Sequence, residues 1–234
     1  MTDPLIRFAV VSDGHINWDT GNESQHNTAA STISDWHNTE PLDFLVYNGD
    51  MHQDTEALDT IHAEFFDLLP SDLDRYVSYG NHEYVDPDVW PDEFGHETWH
   101  SFTVPHDAGG EFGVLIVQSA TAASDGHDFS TTSSCPNELN PGWIENELDA
   151  MEANGVDGVF VFCHVSPDGD HQSSNECPDT KTQFQRDIVK IVFCGHWHTE
   201  NGERIKDGIR YHFTNHLGDR GDGVEGIRLV EVKQ

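Results

Sequence analysis

Six short apolar runs, β-branched or aromatic and each stopped by a polar turn, constrain this chain more than any other feature. Segments 6–11, 44–47, 76–79, 114–117, 159–162 and 191–193 read as buried strands. Helical patterns lie between them. Leu58, Ile61, His62, Phe65 and Leu69 recur at i, i+3, i+4, i+7 and i+11, which predicts one helix with a single apolar face. Ile144, Leu148 and Met151 repeat that spacing after Pro141 and Gly142, residues suited to opening a helix. Segments 209–213 and 227–232 predict two closing strands around a Gly/Asp-rich turn. Strand–helix alternation with closing strands predicts a layered α/β domain with mixed sheets. Nothing marks a linker, so one domain over residues 1–234 is expected.

Two stretches break the rhythm. Residues 84–110 are rich in Pro, Gly, Trp and His, and residues 119–142 in Ser, Thr, Asp and Asn. Both read as long loops, which in a compact domain usually serve function. Ser12-Asp13-Gly14-His15 recurs as Ser124-Asp125-Gly126-His127, but one tetrapeptide inside a polar loop reads as coincidence, not as a repeat.

The strands end on chemistry. The first leads into Asp13-Gly14-His15, the second into Gly49-Asp50 and the third into Asn81-His82-Glu83. The fifth leads into His164, and the sixth into Gly195-His196-Trp197-His198. In open α/β sheets ligands bind outside the carboxyl ends of strands, so these residues converge on one rim. Asp50 can bridge two cations with one carboxylate. Neutral imidazoles and the Asn81 carbonyl fill other positions without overloading the site with charge. Mixed nitrogen and oxygen donors suit Mn foremost, with Fe, Zn, Co or Ni as alternatives, over an all-oxygen Ca or Mg cage.

Order and spacing of these five blocks resemble the calcineurin-like metallophosphoesterase superfamily, whose signature runs D-x-H, G-D, G-N-H-[DE], a lone His and G-H-x-H. The chain shows DGH at 13–15, GD at 49–50, GNHE at 80–83, His164 and GHWH at 195–198. The stretch around Trp143, Ile144 and Leu148 is similar to the helix preceding the fourth block in phosphodiesterase-like members. The resemblance implies a four-layer αββα sandwich with two mixed β-sheets and the site at the strand ends. It implies that Asp13, His15 and His198 hold one metal, that Asn81, His164 and His196 hold the other, and that Asp50 bridges them. His82 would be no ligand but the general acid facing the phosphate. His52 and Glu83 would steady the site from behind the ligands. Glu83 stands where Asp is commoner, and Phe213-Thr214-Asn215-His216 where many members have Asn-Pro-Gly-Ser. No Arg lies in the five blocks, which leaves phosphate binding to the metals and His82.

Two cations roughly 3.5–4 Å apart would clamp a hydroxide for in-line attack on a phosphate mono- or diester. His82 would then protonate the leaving oxygen, worth typically about 10²- to 10⁴-fold. The rival reading is a metal-stabilised binding or structural module with little turnover, on a cell or virion surface. An intact His82 argues against it, because a structural site needs no such acid. His26, His37, His62, His106, His171 and His212 have no motif context and read as bystanders. Trp197 reads as packing beside the site, Asn17 and Asp19 follow the first motif closely enough to touch substrate, and Asp54 shares the supporting place of His52 after Asp50.

Charge narrows the partners. Asp and Glu number 43 against 11 Lys and Arg, a formal net charge of −32. Such self-repulsion strains a compact state, but at about 1 M salt the Debye length is about 3 Å and screens it. The acids are scattered along the whole chain, which predicts a solvated shell adapted to high salt. With no basic stripe, nucleic acid is not the expected partner, and a small or mid-sized phosphate ester is the expected substrate. No run approaches the length of a membrane helix. No basic leader or cleavage site precedes the run 5–11, so the default expectation is a soluble cytoplasmic protein. Cys163 and Cys194 end apolar strands and read as small buried hydrophobes. Cys135 and Cys177 lie before Pro in polar loops; pairing of these two would place the chain in an oxidising compartment.

Overall fold

A computed structural model describes residues 4–16, 22–52, 58–83, 90–120, 135–140, 142–169, 176–198, 201–217 and 226–233. The chain lays down β1 (Ile6–Val11), α1 (Asn22–Thr39), β2 (Phe44–Asn48), α2 (Leu58–Glu64) and β3 (Arg75–Ser78). There follow α3 (Trp90–Phe94), β4 (His100–Pro105), β5 (Glu111–Val117), α4 (Pro136–Leu139), α5 (Trp143–Asn154) and β6 (Gly158–Cys163). The remainder is α6 (Pro178–Phe184), β7 (Val189–Cys194), β8 (Gly202–Lys206), β9 (Ile209–Phe213) and β10 (Ile227–Val232).

Two mixed sheets result, ordered β10-β1-β2-β3 and β4-β5-β6-β7-β9-β8. In each, the inner strands run parallel and the antiparallel pairings lie toward the edges: β10 on β1, β4 on β5 and β8 on β9. Parallel strands buried on both faces need apolar side chains at every position, which is why these runs show no alternation with polar residues. Their pleat divides them among three cores. Ile6, Phe8, Val10, Phe44 and Val46 meet Val114, Ile116, Phe160, Phe162 and Phe193 between the sheets. Ala9, Val11, Leu45 and Tyr47 face α1 and α2, while Val159, Val161, Val192 and Tyr211 face α5 and α6. The layers are therefore helix, sheet, sheet, helix, as the sequence resemblance implies.

The middle core is a lattice of phenylalanines. Phe8 stacks on Phe44 at 4.6 Å, Phe162 on Phe193 at 4.8 Å, and Phe8 meets Phe193 edge-on at 5.6 Å. Truncating a fully buried Phe such as Phe8 to Ala costs about 3–5 kcal/mol.

Three expectations need correction. The helix predicted through Leu69 stops at Glu64 and gives way to a 3₁₀ turn, Phe66–Leu68. Phe65 and Phe66, adjacent at the junction, are both buried in one core. Residues 84–110 and 119–142 are not simply loops, since α3 and β4 lie within the first and α4 within the second. β4 is an edge strand whose Phe102 and Val104 reach the middle core, and its terminal Pro105 is tolerated at an edge. α1 carried no strong pattern because the face it buries is mostly small, with Ala29, Ala30 and Ile33 beside His26.

Cys135 and Cys177 are joined as a disulfide, tying the entries of α4 and α6 together. Cys163 and Cys194 are free and fully buried, as expected, with sulfurs 3.7 Å apart. No helix of the described residues is long and apolar enough to cross a membrane. His171, Asn17, Asp19, Asp54 and the 124–127 tetrapeptide lie outside the described residues.

Candidate metal centre

The segments leaving β1 and β2 run side by side and are laced by backbone bonds. Asp13 N–H donates to Gly49 O, His15 N–H to Asp50 O and Ile16 N–H to Met51 O, at 2.9–3.0 Å. That lacing forces unusual torsions. Among the described residues the non-glycine positive φ angles belong to Asp13 (54°), His15 (46°), Asp50 (52°), His196 (64°) and Asp207 (53°). Four of these five are candidate ligands. Left-handed backbone costs a non-glycine residue about 1–3 kcal/mol and clusters at functional sites, where surrounding structure enforces it.

The side chains so presented converge. Asp13, His15, Asp50 and His198 each offer a donor atom within 4.8 Å of the others, and so do Asp50, His164 and His196. Asp50 belongs to both groups. Its Oδ1 accepts the backbone N–H of His82 at 2.8 Å, while its Oδ2 lies 3.0 Å from His164 Nε2 and 3.7 Å from His15 Nε2. His198 Nε2 lies 3.2 Å from Asp13 Oδ1 and 3.1 Å from His15 Nε2. Asn81 is buried beside them, and its Oδ1 has no hydrogen-bond partner among the described residues. Carboxylate oxygens, imidazole nitrogens and an unsatisfied amide oxygen are a donor set that fits divalent transition ions.

The support behind the donors is specific. His164 Nδ1 sits 2.8 Å from Asn48 O, which fixes the proton on Nδ1 and turns Nε2 toward Asp50. Ser12 Oγ donates to the same carbonyl at 3.0 Å and also contacts the Asp13 carboxylate. His196 N–H donates to both Asp13 oxygens, at 3.0 and 3.1 Å. Glu83 is fully buried and brackets the turn after β2, accepting N–H from Asp50 at 2.8 Å, Met51 at 2.7 Å and Gly80. His52 is fully buried beside the site, its segment bridged to Ile16. Two motif glycines are there for close approach. A Cβ on Gly49 would lie 2.5 Å from the His164 ring, and one on Gly195 would lie 2.1 Å from Ser12 Oγ and 2.5 Å from Asp13 Oδ2.

Electrostatics follow from burial and this crowding. Burial alone would raise both carboxyls, but His164 and His198 hold Asp13 down to about 2, and His164 and His82 hold Asp50 well below its usual range. Burial would lower His164, yet Asp50 and Asp13 push it up to about 10. Burial dominates at His15, which falls to about 3, and at His82, which is also lowered. Burial and the charge of Asp50 push Glu83 up to about 8. Two buried carboxylates ringed by imidazoles favour positive charge at their centre.

His82 stands apart from both donor groups. It is buried, with its ring edge-on to His15 at 4.9 Å. Trp197 packs against the core under α5 and α6, as expected. Three residues beside the site carried no role in the sequence reading. Ser12 and Asn48 flank the first two motifs directly, a signal that adjacency alone supplies. His216, whose ring is 4.7 Å from that of His198, had only its place just beyond a predicted closing strand to suggest it. Of the histidines expected to be bystanders, His26 is a buried core residue whose Nε2 lies 2.9 Å from the Tyr47 hydroxyl.

Comparison with known proteins gives a consistent outcome. A family model described as calcineurin-like phosphoesterase matches residues 6–200. The serine/threonine-protein phosphatase CPPED1 of Danio rerio is 30% identical over 118 residues, which cover 45% of this chain but only 38% of that protein's length. Among solved structures, a dimetal phosphatase from Danio rerio superposes with TM-score 0.74 at 14% identity, covering 98% of this chain and 93% of that one. A 5'-nucleotidase from Candida albicans gives 0.56 at 15% identity, over 92% of this chain and 46% of that one. Purple acid phosphatase PPD1 of yellow lupin gives 0.55 at 13%, over 91% and 44%. At such identities these structures speak to fold alone.

Proposed function

The chain belongs to the calcineurin-like phosphoesterase family, and on that premise we propose that it is a phosphoric ester hydrolase working with two divalent transition ions, manganese foremost. The observation that carries this reading is the divided carboxylate of Asp50. One oxygen is taken by the His82 N–H, and the other faces histidines of both donor groups. In this reading Asp50 would serve both ions, Asp13, His15 and His198 would hold one, and Asn81, His164 and His196 would hold the other. Such a pair of ions, when bound, lowers the pKa of water and neutralises charge on phosphoryl oxygens.

The chain's own residues do the rest. Asn48 and Ser12 hold His164 and Asp13 in register, and Glu83 fixes the turn that carries Asp50. His82, outside both groups yet bound through its backbone to Asp50, gives a proton to the leaving oxygen once the charge of a bound phosphate offsets the burial that lowers its pKa. With no Arg in the five motifs, the phosphoryl group relies on the ions and on His82. The substrate in this reading is a small or mid-sized phosphate mono- or diester, because the acidic shell repels long polyanions at low salt.

The test is hydrolysis of p-nitrophenyl phosphate and bis-p-nitrophenyl phosphate with Mn²⁺ in molar KCl. The parent should turn over at least one ester. Asp50→Ala should lose metal and turnover together, and His82→Ala should keep metal while losing about 10²- to 10⁴-fold in rate. A parent that binds Mn²⁺ and hydrolyses neither ester would sink the proposal in favour of a binding module. Full turnover in His82→Ala would remove the role given to that residue.

A further inference from the structure

His198 is, with His196, one of the two candidate ligands that are not buried outright. Its side chain is 22% exposed, against 1% for Asp13, 2% for His15, 1% for Asp50 and 0% for His164. An imidazole open on one side needs a wall if it is to wait in a fixed orientation. That wall is His216, whose ring lies 4.7 Å from the His198 ring at an interplanar angle of 47° and which is itself only 8% exposed.

The wall is anchored to the site it serves. Leu217, the next residue, donates its N–H to Ser12 O and Asp13 O at 3.2 Å each and buries its side chain in the core. Gly226 backs it so closely that a Cβ there would lie 2.4 Å from Leu217 Cα. Thr214 N–H donates to Cys194 O at 2.9 Å, tying the same segment to the end of β7. Contacts therefore close a circuit: Asp13 holds Leu217, Leu217 places His216, His216 abuts His198, and His198 Nε2 returns to Asp13 at 3.2 Å. Among the described residues His216 is in neither donor group, so it is not itself a ligand candidate.

We propose that His216 is a positioning residue, holding the imidazole of His198 for the ion that Asp13, His15 and His198 would share. This rests on the two-ion reading above. Residues that orient a ligand from behind typically change metal affinity or activity by about 10- to 100-fold when removed. What the circuit requires of His216 is a planar ring, so an aromatic replacement should serve.

The experiment is a calorimetric Mn²⁺ titration of the EDTA-stripped full chain in molar KCl, for the parent, His216→Ala and His216→Phe. Circular dichroism melts check that each is folded, and His216→Phe, which keeps the ring volume, is the variant expected to fold in any case. The parent should take up two ions. His216→Ala should weaken one uptake about 10- to 100-fold and leave the other unchanged. Its turnover should recover at saturating Mn²⁺, and His216→Phe should titrate like the parent. Parental Mn²⁺ affinity in His216→Ala overturns the proposal, as does a turnover defect that excess Mn²⁺ leaves in place, which would mark a substrate contact. Equal loss in His216→Phe and His216→Ala overturns it as well. A parent that takes up no Mn²⁺ would overturn the metal reading beneath it, a result distinct from any of these.

Discussion

Lowering the pH should unlock the edge of the first sheet at His96. β3 is the last strand of that sheet, and the outward Val77 N–H donates to His96 Nε2 at 3.0 Å. His96 Nδ1 lies 2.7 Å from Glu97 O, so the proton sits on Nδ1 and Nε2 is the acceptor. Protonating the ring would turn that acceptor into a donor aimed at another donor. The ring is 7% exposed and packed beside His100 and Tyr76, at 5.0 and 5.7 Å. Burial lowers its pKa to about 4, against the opposing bond to Glu97 and with help from His100. A histidine depressed in the fold stabilises the fold fully above its unfolded value, near 6.5, and loses that contribution as pH falls toward 4. Linkage puts the loss at about 2 kcal/mol between about pH 7 and 5, and about 3 kcal/mol by pH 4. Urea unfolding of the parent and of His96→Gln, at fixed molar KCl, measures it. Other groups titrate in both proteins, so the difference isolates His96. The stability gap in favour of the parent should shrink by those amounts; a gap that stays within about 0.5 kcal/mol from neutral pH to pH 4 refutes the assignment.

Glu83→Ala leaves three backbone donors without their acceptor. At about 1–3 kcal/mol for each buried unsatisfied group, urea unfolding should show a loss of about 3 kcal/mol or more, and a loss under about 1 would contradict the bracket described above. The Cys135–Cys177 disulfide spans 42 residues, for which chain entropy gives roughly 4 kcal/mol. Reduction by dithiothreitol should therefore lower the melting temperature, and an unchanged melt would show that the bond contributes nothing. Raising KCl from about 0.1 M to about 2 M should raise the melting temperature as the net charge of −32 is screened; a flat response would count against adaptation to salt. Gly195→Ala drives a methyl into Ser12 and Asp13 and should cut Mn²⁺ uptake. Gly155→Ala, strained at φ 75° but in open space, should cost about 1 kcal/mol in stability and leave uptake alone, and the reverse pattern would refute the close-packing account of Gly195.

Strands and metal donors were legible for one reason. A parallel strand buried on both faces must be apolar throughout, and the residue that ends it must turn sharply and carry the chemistry. Ile6–Val11, Ile209–Phe213 and Ile227–Val232 match their predicted bounds, and the donors after β1, β2, β6 and β7 come together. What escaped has physical reasons too. β4 hides because an edge strand need satisfy only one buried face, so His100, Ser101 and Pro105 dilute its pattern. α1 hides because two of its three buried aliphatic residues are alanines, which carry little hydropathy signal. His216 hides because its neighbour His198 is 18 positions away in sequence, on a different strand's exit, and packing between two loops leaves no periodicity to read.

Charge ties the fold to its chemistry. Positive groups are scarce, and the structure commits several of them to carboxylates. Arg204 and Lys206 bind Asp168, by its carboxylate and its carbonyl, and Lys181 binds Glu176 and Asp207. Arg186 joins Asp149 and Glu152. These pairs tie β8 to the buried Asp168, α6 to the turn between β8 and β9, and the chain after α6 to α5, and the more exposed of them contribute little stability each. On the two-ion reading proposed above, the phosphoryl group is left to cations and imidazoles. A strongly negative chain concentrates cations around itself and repels polyanions. On the proposed reading, the composition that would favour loading of the Asp13–Asp50 cluster would also select against long nucleic-acid substrates, and both effects should weaken together as salt screens the field.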